Sequence, residues 1–344
     1  MPYDFTMFNP YILKRIIKST LFLFFCLVLT NDAVARKYLG RYYDDTLNKA
    51  VDTGKTRGRL IINKKFNEIY NQNLLPASFG NEYFDPRKTL LVSDLVANLV
   101  ILNTPELPFY FVFTPQVNLR LFAAHGSPVK SPSYMPGGTL YFRLNRNVYR
   151  PEFFTASYTH HSNGIEGPTL NPNGAFNIDS GKFTTNFYTL TYHRGKRIDA
   201  ENVIIDRYDA LGVELHSALV GLGYAHGLGG HYGFVRVNGN WMYNIARAYS
   251  DPIDKAKKVF KNWQRIQLDF EYIADKYDEY NNFDFKKRLN VNVKYYYQLP
   301  FMQNGAFLVG AGYRGQDNYN IFFQDSYPYF LIGCALGLSF EFHN

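Results

Sequence analysis

From Leu289 onward the chain alternates: Leu289, Val291, Val293, Tyr295, Tyr297 and Leu299 fall on one face, and Asn290, Asn292, Lys294 and Gln298 on the other. A period of two is the signature of a β-strand with one apolar and one polar side. The last segment repeats it, with Phe330, Ile332, Cys334, Leu336, Leu338, Phe340 and Phe342 opposed to Gly333, Ala335, Gly337, Ser339, Glu341 and His343. Comparable runs cover 109–121, 140–144, 266–272 and 307–313, separated by turn-rich pieces such as Gly137-Gly138, Gly229-Gly230 and Gln303-Asn304-Gly305. Strands joined by turns are the simplest structure with this pattern. Residues 36–87 fit it less well, because Gly40, Gly54, Pro76 and Pro86 interrupt a weak periodicity. They read as an N-terminal extension, plug or short helix.

Two architectures accommodate such alternation, a soluble β-sandwich and a barrel. Lys14, Arg15 and Lys18 precede the apolar run from Leu21 to Leu29, which leads to Ala33-Val34-Ala35. This is the basic, apolar and small-residue order of a secretory signal peptide, and the run is shorter than the roughly 20 residues a spanning helix needs. The mature chain is then expected to begin near Arg36. Of the 344 residues 18% are aromatic and 19% charged, with a mean hydropathy of -0.27. That is too polar for a helical membrane protein and rich in the Tyr and Phe of aromatic girdles. A closed barrel satisfies every backbone hydrogen bond in lipid. The expectation is therefore an all-β fold, a transmembrane antiparallel β-barrel of about 12 strands in the bacterial outer membrane. The predicted domains are a signal peptide at 1–35, the extension at 36–87 and the barrel at 88–344. The net charge of +8 is dispersed over the alternating segments, as lumen and loop charges would be, and points to no nucleic-acid partner. Cys26 belongs to the leader, so Cys334 has no internal disulfide partner.

Chemistry concentrates in Tyr158-Thr159-His160-His161-Ser162-Asn163-Gly164, which reads with Thr185-Asn186-Phe187-Tyr188 as a hairpin with a long loop. Parity puts Phe154, Ala156, Tyr158, His160 and Ser162 on one face, the apolar one, and Asn186, Tyr188, Leu190 and Tyr192 on the matching face of the returning strand. Polar side chains on a lipid-facing wall are costly and need a reason. His160 is spaced to act as general base on the Ser162 hydroxyl, and Asn186 to fix the imidazole tautomer. Backbone amides at Asn163 and Gly164 are candidate oxyanion donors, Gly164 above all. Asn173 and Asn177 are rival third members. Zinc at His160, His161 and His193 is disfavoured, since His160 and His161 point to opposite faces.

The run His160, Ser162, Asn163 and Gly164 resembles the hallmark of the outer-membrane phospholipase A family (phospholipase A1). Pro168-Thr169, Ser131-Pro132 and Asp317-Asn318-Tyr319-Asn320 resemble further segments of it, so the likeness extends from about Lys130 to the C-terminus. The resemblance implies a 12-stranded barrel and a Ser-His-Asn triad of Ser162, His160 and Asn186. It also implies hydrolysis of membrane phospholipid acyl esters, activation as a homodimer, and calcium, whose ligands would fall at Ser131, Ile165 and Thr169. Two departures bear on the metal: Ile165 stands where the family has arginine, and Leu170 where it has a hydroxyl residue. A His-x-Ser-Asn run also resembles the lipid A deacylases, smaller barrels with glutamate as third member. The reading from a different class is a non-catalytic pore or structural barrel, with Arg120, Arg143, Lys294, Asp269 and Glu271 lining a channel.

Overall fold

The structure, a computed structural model, describes residues 49–123, 129–200, 202–217, 223–250, 258–299 and 305–338. The predicted leader at 1–35, the segment 36–48 and the end of the predicted last strand, from Ser339 on, lie outside these residues.

A single 15-membered antiparallel sheet closes on itself. Its segments are β1 (Ala77–Tyr83), β2 (Thr89–Val96), β3 (Leu99–Leu102), β4 (Phe109–Thr114), β5 (Gln116–Phe122), β6 (Ser133–Tyr134), β7 (Gly137–Arg143) and β8 (Glu152–Ser162). They continue with β9 (Thr184–Ala200), β10 (Val203–His216), β11 (Val235–Ser250), β12 (Lys258–Ile273), β13 (Leu289–Tyr297), β14 (Gly305–Arg314) and β15 (Tyr327–Leu336). Because β2 with β3, β4 with β5, and β6 with β7 are successive lengths of single strands, the barrel has 12 strands. Each pairs with its neighbours in sequence, and β1 against β15, from Ala77 opposite Leu336 to Tyr83 opposite Phe330, seals the ring. Proline, which lacks the N–H a ladder needs, marks two of the breaks, at Pro115 and Pro136. Pairing resumes around them, as Met135 N donates to Gln116 O at 2.7 Å and His160 N to Pro136 O at 3.0 Å.

The barrel begins at Ala77, inside the segment 36–87 and ahead of the boundary at 88. Along β1, Phe79 and Tyr83 face out while Gly80 and Glu82 face in, and the polar Asn81 between the two rings hides the alternation. Residues 49–72 form a helix, α1 (Lys49–Gln72). Of the unit Met1–Gly58 only the start of this helix is described; from Arg59 it belongs with the barrel. Asn63, Phe66, Ile69, Tyr70 and Gln72 form its buried stripe, the i, i+3, i+4 spacing of one helical face. Phe66, Ile69 and Tyr70 pack on the inward Tyr110, Val112, Tyr141, Phe153 and Tyr208. The guanidinium of Arg265 donates to Gln72 O at 2.7 Å, a cation on the carbonyls that end a helix, and Tyr208 donates to the Gln72 side chain at 2.9 Å. The helix thus stoppers the end of the lumen where the chain enters the barrel. Beyond it lies a cavity of about 500 Å³ bordered by Asp269, Glu271, Arg236 and Arg265.

A buried ion layer spans the seam. Arg120, fully buried, grips Asp317 through both terminal nitrogens at 2.5 and 2.7 Å. Arg314 holds Glu82 at 2.5 and 2.8 Å. Between the pairs the Tyr327 hydroxyl donates to Asp317 at 2.9 Å and accepts from Arg314 at 2.7 Å. Burial alone would raise the Asp317 carboxyl, but Arg120 and Arg314 outweigh it and hold it below the usual carboxylate range. Its folded value lies under its unfolded one, so its contribution is present above the ordinary carboxyl pKa of about 4 and is lost as pH falls through the lower folded value. Asp317→Ala strands a buried guanidinium and is expected to cost about 3–5 kcal/mol at neutral pH. Urea unfolding in detergent at pH 7 and pH 3 checks both points: the gap between wild type and variant should narrow at the lower pH.

Candidate active site

Strands β8 and β9 pair from Glu152 opposite Arg194 to Ser162 opposite Thr184, with His160 directly opposite Asn186. Phe154, Leu190 and Tyr192 on this parity are exposed on the outer wall, while Phe153, Thr155, His161 and Thr185 are buried inside. His160, Ser162 and Asn186 therefore share the outer wall, as parity predicts, and His161 turns to the lumen. His193 also turns inward, its ring stacked on Phe153 at 4.5 Å and its Nε2 2.9 Å from the Thr155 hydroxyl. Among the described residues no three His, Cys, Asp or Glu side chains come together as a metal cluster.

The Asn186 amide has one sense. Its Nδ2 donates to Gly223 O at 2.7 Å, so its Oδ1 faces β8, accepts from the Tyr158 hydroxyl at 2.8 Å and meets His160 Nδ1 at 2.8 Å. Facing an acceptor, Nδ1 carries the imidazole hydrogen, which leaves Nε2 with its lone pair. Backbone on either side of Asn186 is also tied down: Ser217 N donates to Asn186 O at 2.9 Å and Ala225 N to Thr184 O at 2.8 Å. Asn186 is only 2% exposed. Ser162 lies two positions from His160 on the same face, and among the described residues no hydrogen bond joins them. Asn173 and Asn177 are spent on turns of their own loop, Asn173 accepting from Ala175 N and Asn177 from Ser180 N, each at 3.1 Å.

Asn163 faces inward and staples the loop shut. Its Nδ2 donates to Gly181 O at 2.7 Å, its Oδ1 accepts from Phe183 N at 2.9 Å, and its own N–H donates to Phe183 O at 3.1 Å. The chain then reverses through Gly164, whose φ of +69° lies in the left-handed region that glycine adopts without strain. The edge of the Tyr134 ring lies against Gly164, 3.2 Å from where a Cβ would stand, and Tyr134 is also the cross-strand neighbour of Ser162. Among the described residues the Gly164 N–H has no internal acceptor.

The residues proposed for calcium are a poor donor set for that ion on their chemistry. Calcium takes 6–8 oxygens, commonly with carboxylates, whereas Ser131, Ile165 and Thr169 bring two hydroxyls and a carbonyl. Thr169 is buried, donates its hydroxyl to Lys182 O at 2.9 Å and packs beneath Gly227. The carboxylates of the same loop, Asp179 and Glu166, are largely solvent-exposed and face Lys130 and Lys182. This donor set does not fit a calcium ion within one chain.

Sequence reasoning missed three neighbours. Tyr158 carried a signal, its shared parity with His160. Gly223 and Tyr134 carried none, since they arrive from distant parts of the chain.

No protein-family profile matches the sequence, and no curated protein matches it. Among solved structures the fold is similar to the Salmonella typhi outer membrane phospholipase (OMPLA) dimer with bound calcium, at TM-score 0.46 and 10% identity over 76% of this chain and 89% of that one. It is similar also to outer membrane phospholipase A from Escherichia coli, at 0.45 and 10% over 81% and 97%, and to the NanC porin, at 0.39 and 7% over 76% and 99%. At such identities the likeness is one of fold.

Asn163→Ala leaves the buried Phe183 N–H without its side-chain acceptor and Gly181 O without its donor, at about 1–3 kcal/mol for each group. Limited proteolysis is expected to cut the 163–183 loop much faster while the barrel itself stays protected.

Proposed function

We propose that the protein is a serine esterase of the phospholipase A type, acting from the outer membrane on acyl esters of membrane phospholipid. The observation that carries this reading is the Asn186 Oδ1 to His160 Nδ1 contact at 2.8 Å, on an exposed wall and one step along the strand face from Ser162. In the reaction Ser162 Oγ attacks the ester carbonyl as its proton passes to His160 Nε2. The tetrahedral oxyanion is met by the free amide of Gly164. Collapse breaks the ester bond, and His160 returns the proton to the leaving lysolipid alkoxide. Water, activated by the same imidazole, then releases the fatty acid from Ser162. The missing serine–histidine hydrogen bond is compatible with this role, since such bonds often tighten only when substrate binds.

Below the site the outer wall offers Phe154 against Tyr192, ring centroids 5.5 Å apart, and the exposed Leu190, an apolar strip for an acyl chain arriving sideways from the bilayer. The stoppered lumen supports a wall-mounted site over a pore.

Fatty-acid release from mixed micelles tests the reading. Ser162→Ala and His160→Ala are expected to abolish it, and Asn186→Ala to lower it by roughly two orders of magnitude, within the range general acid–base positioning contributes. Equal rates in wild type and Ser162→Ala, with both folded, would end the proposal; lipid A would then be the ester to assay. Chelator should leave the rate unchanged, because the candidate donors include no carboxylate and the Thr169 hydroxyl is already bonded to Lys182 O. Loss on chelation restored by calcium would instead mean that a second copy completes the metal site, and sedimentation in detergent would detect that pairing.

A further inference from the structure

Resting on the esterase reading, we infer that Lys130 and Lys182 form a binding site for the phosphate diester of the glycerolipid headgroup. Lys182 stands two residues ahead of Thr184, the cross-strand neighbour of Ser162. Lys182 precedes the first residue of β9, so its Cα lies at most roughly 7 Å from that of Thr184, a span a four-carbon side chain covers. Lys130 reaches the same loop from the other side, its ammonium 2.6 Å from Asp179, and its carbonyl is tied down by the Tyr319 hydroxyl at 3.1 Å. A lipid whose acyl chain follows the apolar wall and whose ester sits at Ser162 must carry its phosphate away from that wall, toward these two ammonium groups.

Their present partners are poor competitors. Lys182 meets Glu166 at 3.4 Å, and the two carboxylates are 92% and 76% exposed against 40% for each lysine. Solvated surface pairs of this kind contribute little, so a phosphate delivered beside a membrane can take both cations. The carboxylates then act as placeholders that keep the lysines extended over the site.

Binding and turnover test the site separately. The full chain carrying Ser162→Ala, in phosphorus-free detergent, is titrated with monomeric dihexanoyl phosphatidylcholine and followed by ³¹P NMR. Lys130→Gln with Lys182→Gln is expected to weaken binding about tenfold, and Glu166→Gln, which frees Lys182, to tighten it. Heat-modifiable migration checks that each barrel is folded. Unchanged affinity in the double variant overturns the inference, as does displacement of the lipid by equimolar inorganic phosphate, which would mark a free-anion site. In the Ser162 enzyme the ratio of kcat/KM for phosphatidylcholine over diacylglycerol with the same chains should fall about tenfold in the double variant, through KM. A ratio that stays fixed while both lipids are cleaved removes the phosphate site alone. Lipid binding that depends on the lysines, with no cleavage by wild type, removes the esterase and leaves the phosphate site standing.

Discussion

The buried pair of Arg120 and Asp317 is the constraint from which much of the upper barrel follows. Neither side chain touches water, so each charge is tolerable only because the other is there. Asp317 lies in the loop between β14 and β15 and also accepts from Tyr319 N at 3.0 Å, which fixes the start of that loop. One residue further, Asn320 accepts no freedom either: its N–H donates to the Ser133 hydroxyl at 2.9 Å and its Nδ2 to Phe183 O at 2.7 Å. Phe183 in turn is the partner of Asn163, next to Ser162. A charge pair at the seam is thus connected, bond by bond, to the backbone beside the candidate nucleophile.

That connection explains how a site can stand on a wall. A strand's outer face has no scaffold above it, and side chains there are ordinarily free to turn. Here the loops converge from behind and from the side. Asn163 is locked into the 163–183 loop, Asn186 is held by Ser217 N and Gly223 O, and the line of interrupted pairing at Pro115 and Pro136 runs up to the His160 amide. Breaks in a ladder are common next to functional sites, where they re-aim side chains.

Much of this was legible in the residues. The two-residue period gave the strands and separated His160 from His161, and it set His160, Ser162 and Asn186 on one wall, because a strand leaves side chains only two directions. What periodicity cannot carry is contact between elements far apart in sequence. The helix α1 was only one of the alternatives open for 36–87, a plug or short helix among them, because its buried stripe opens on the polar Asn63. The first strand escaped because Asn81 sits between its outward rings. Gly223 was invisible, since only the fold brings its carbonyl to Asn186, and so was the burial of Thr169 beneath Gly227, which occupies the hydroxyl named as a calcium ligand by resemblance.

The contact between Gly164 and Tyr134 ties together two positions distant in the chain. A methyl group at 164 would have to enter the space that the ring edge fills, on a backbone already in the left-handed region. A smaller residue at 134 would open that space yet still leave the strained φ. Position 164 is therefore held twice over, by its φ and by the ring, so a side chain there needs both a change at 134 and a rebuilt turn.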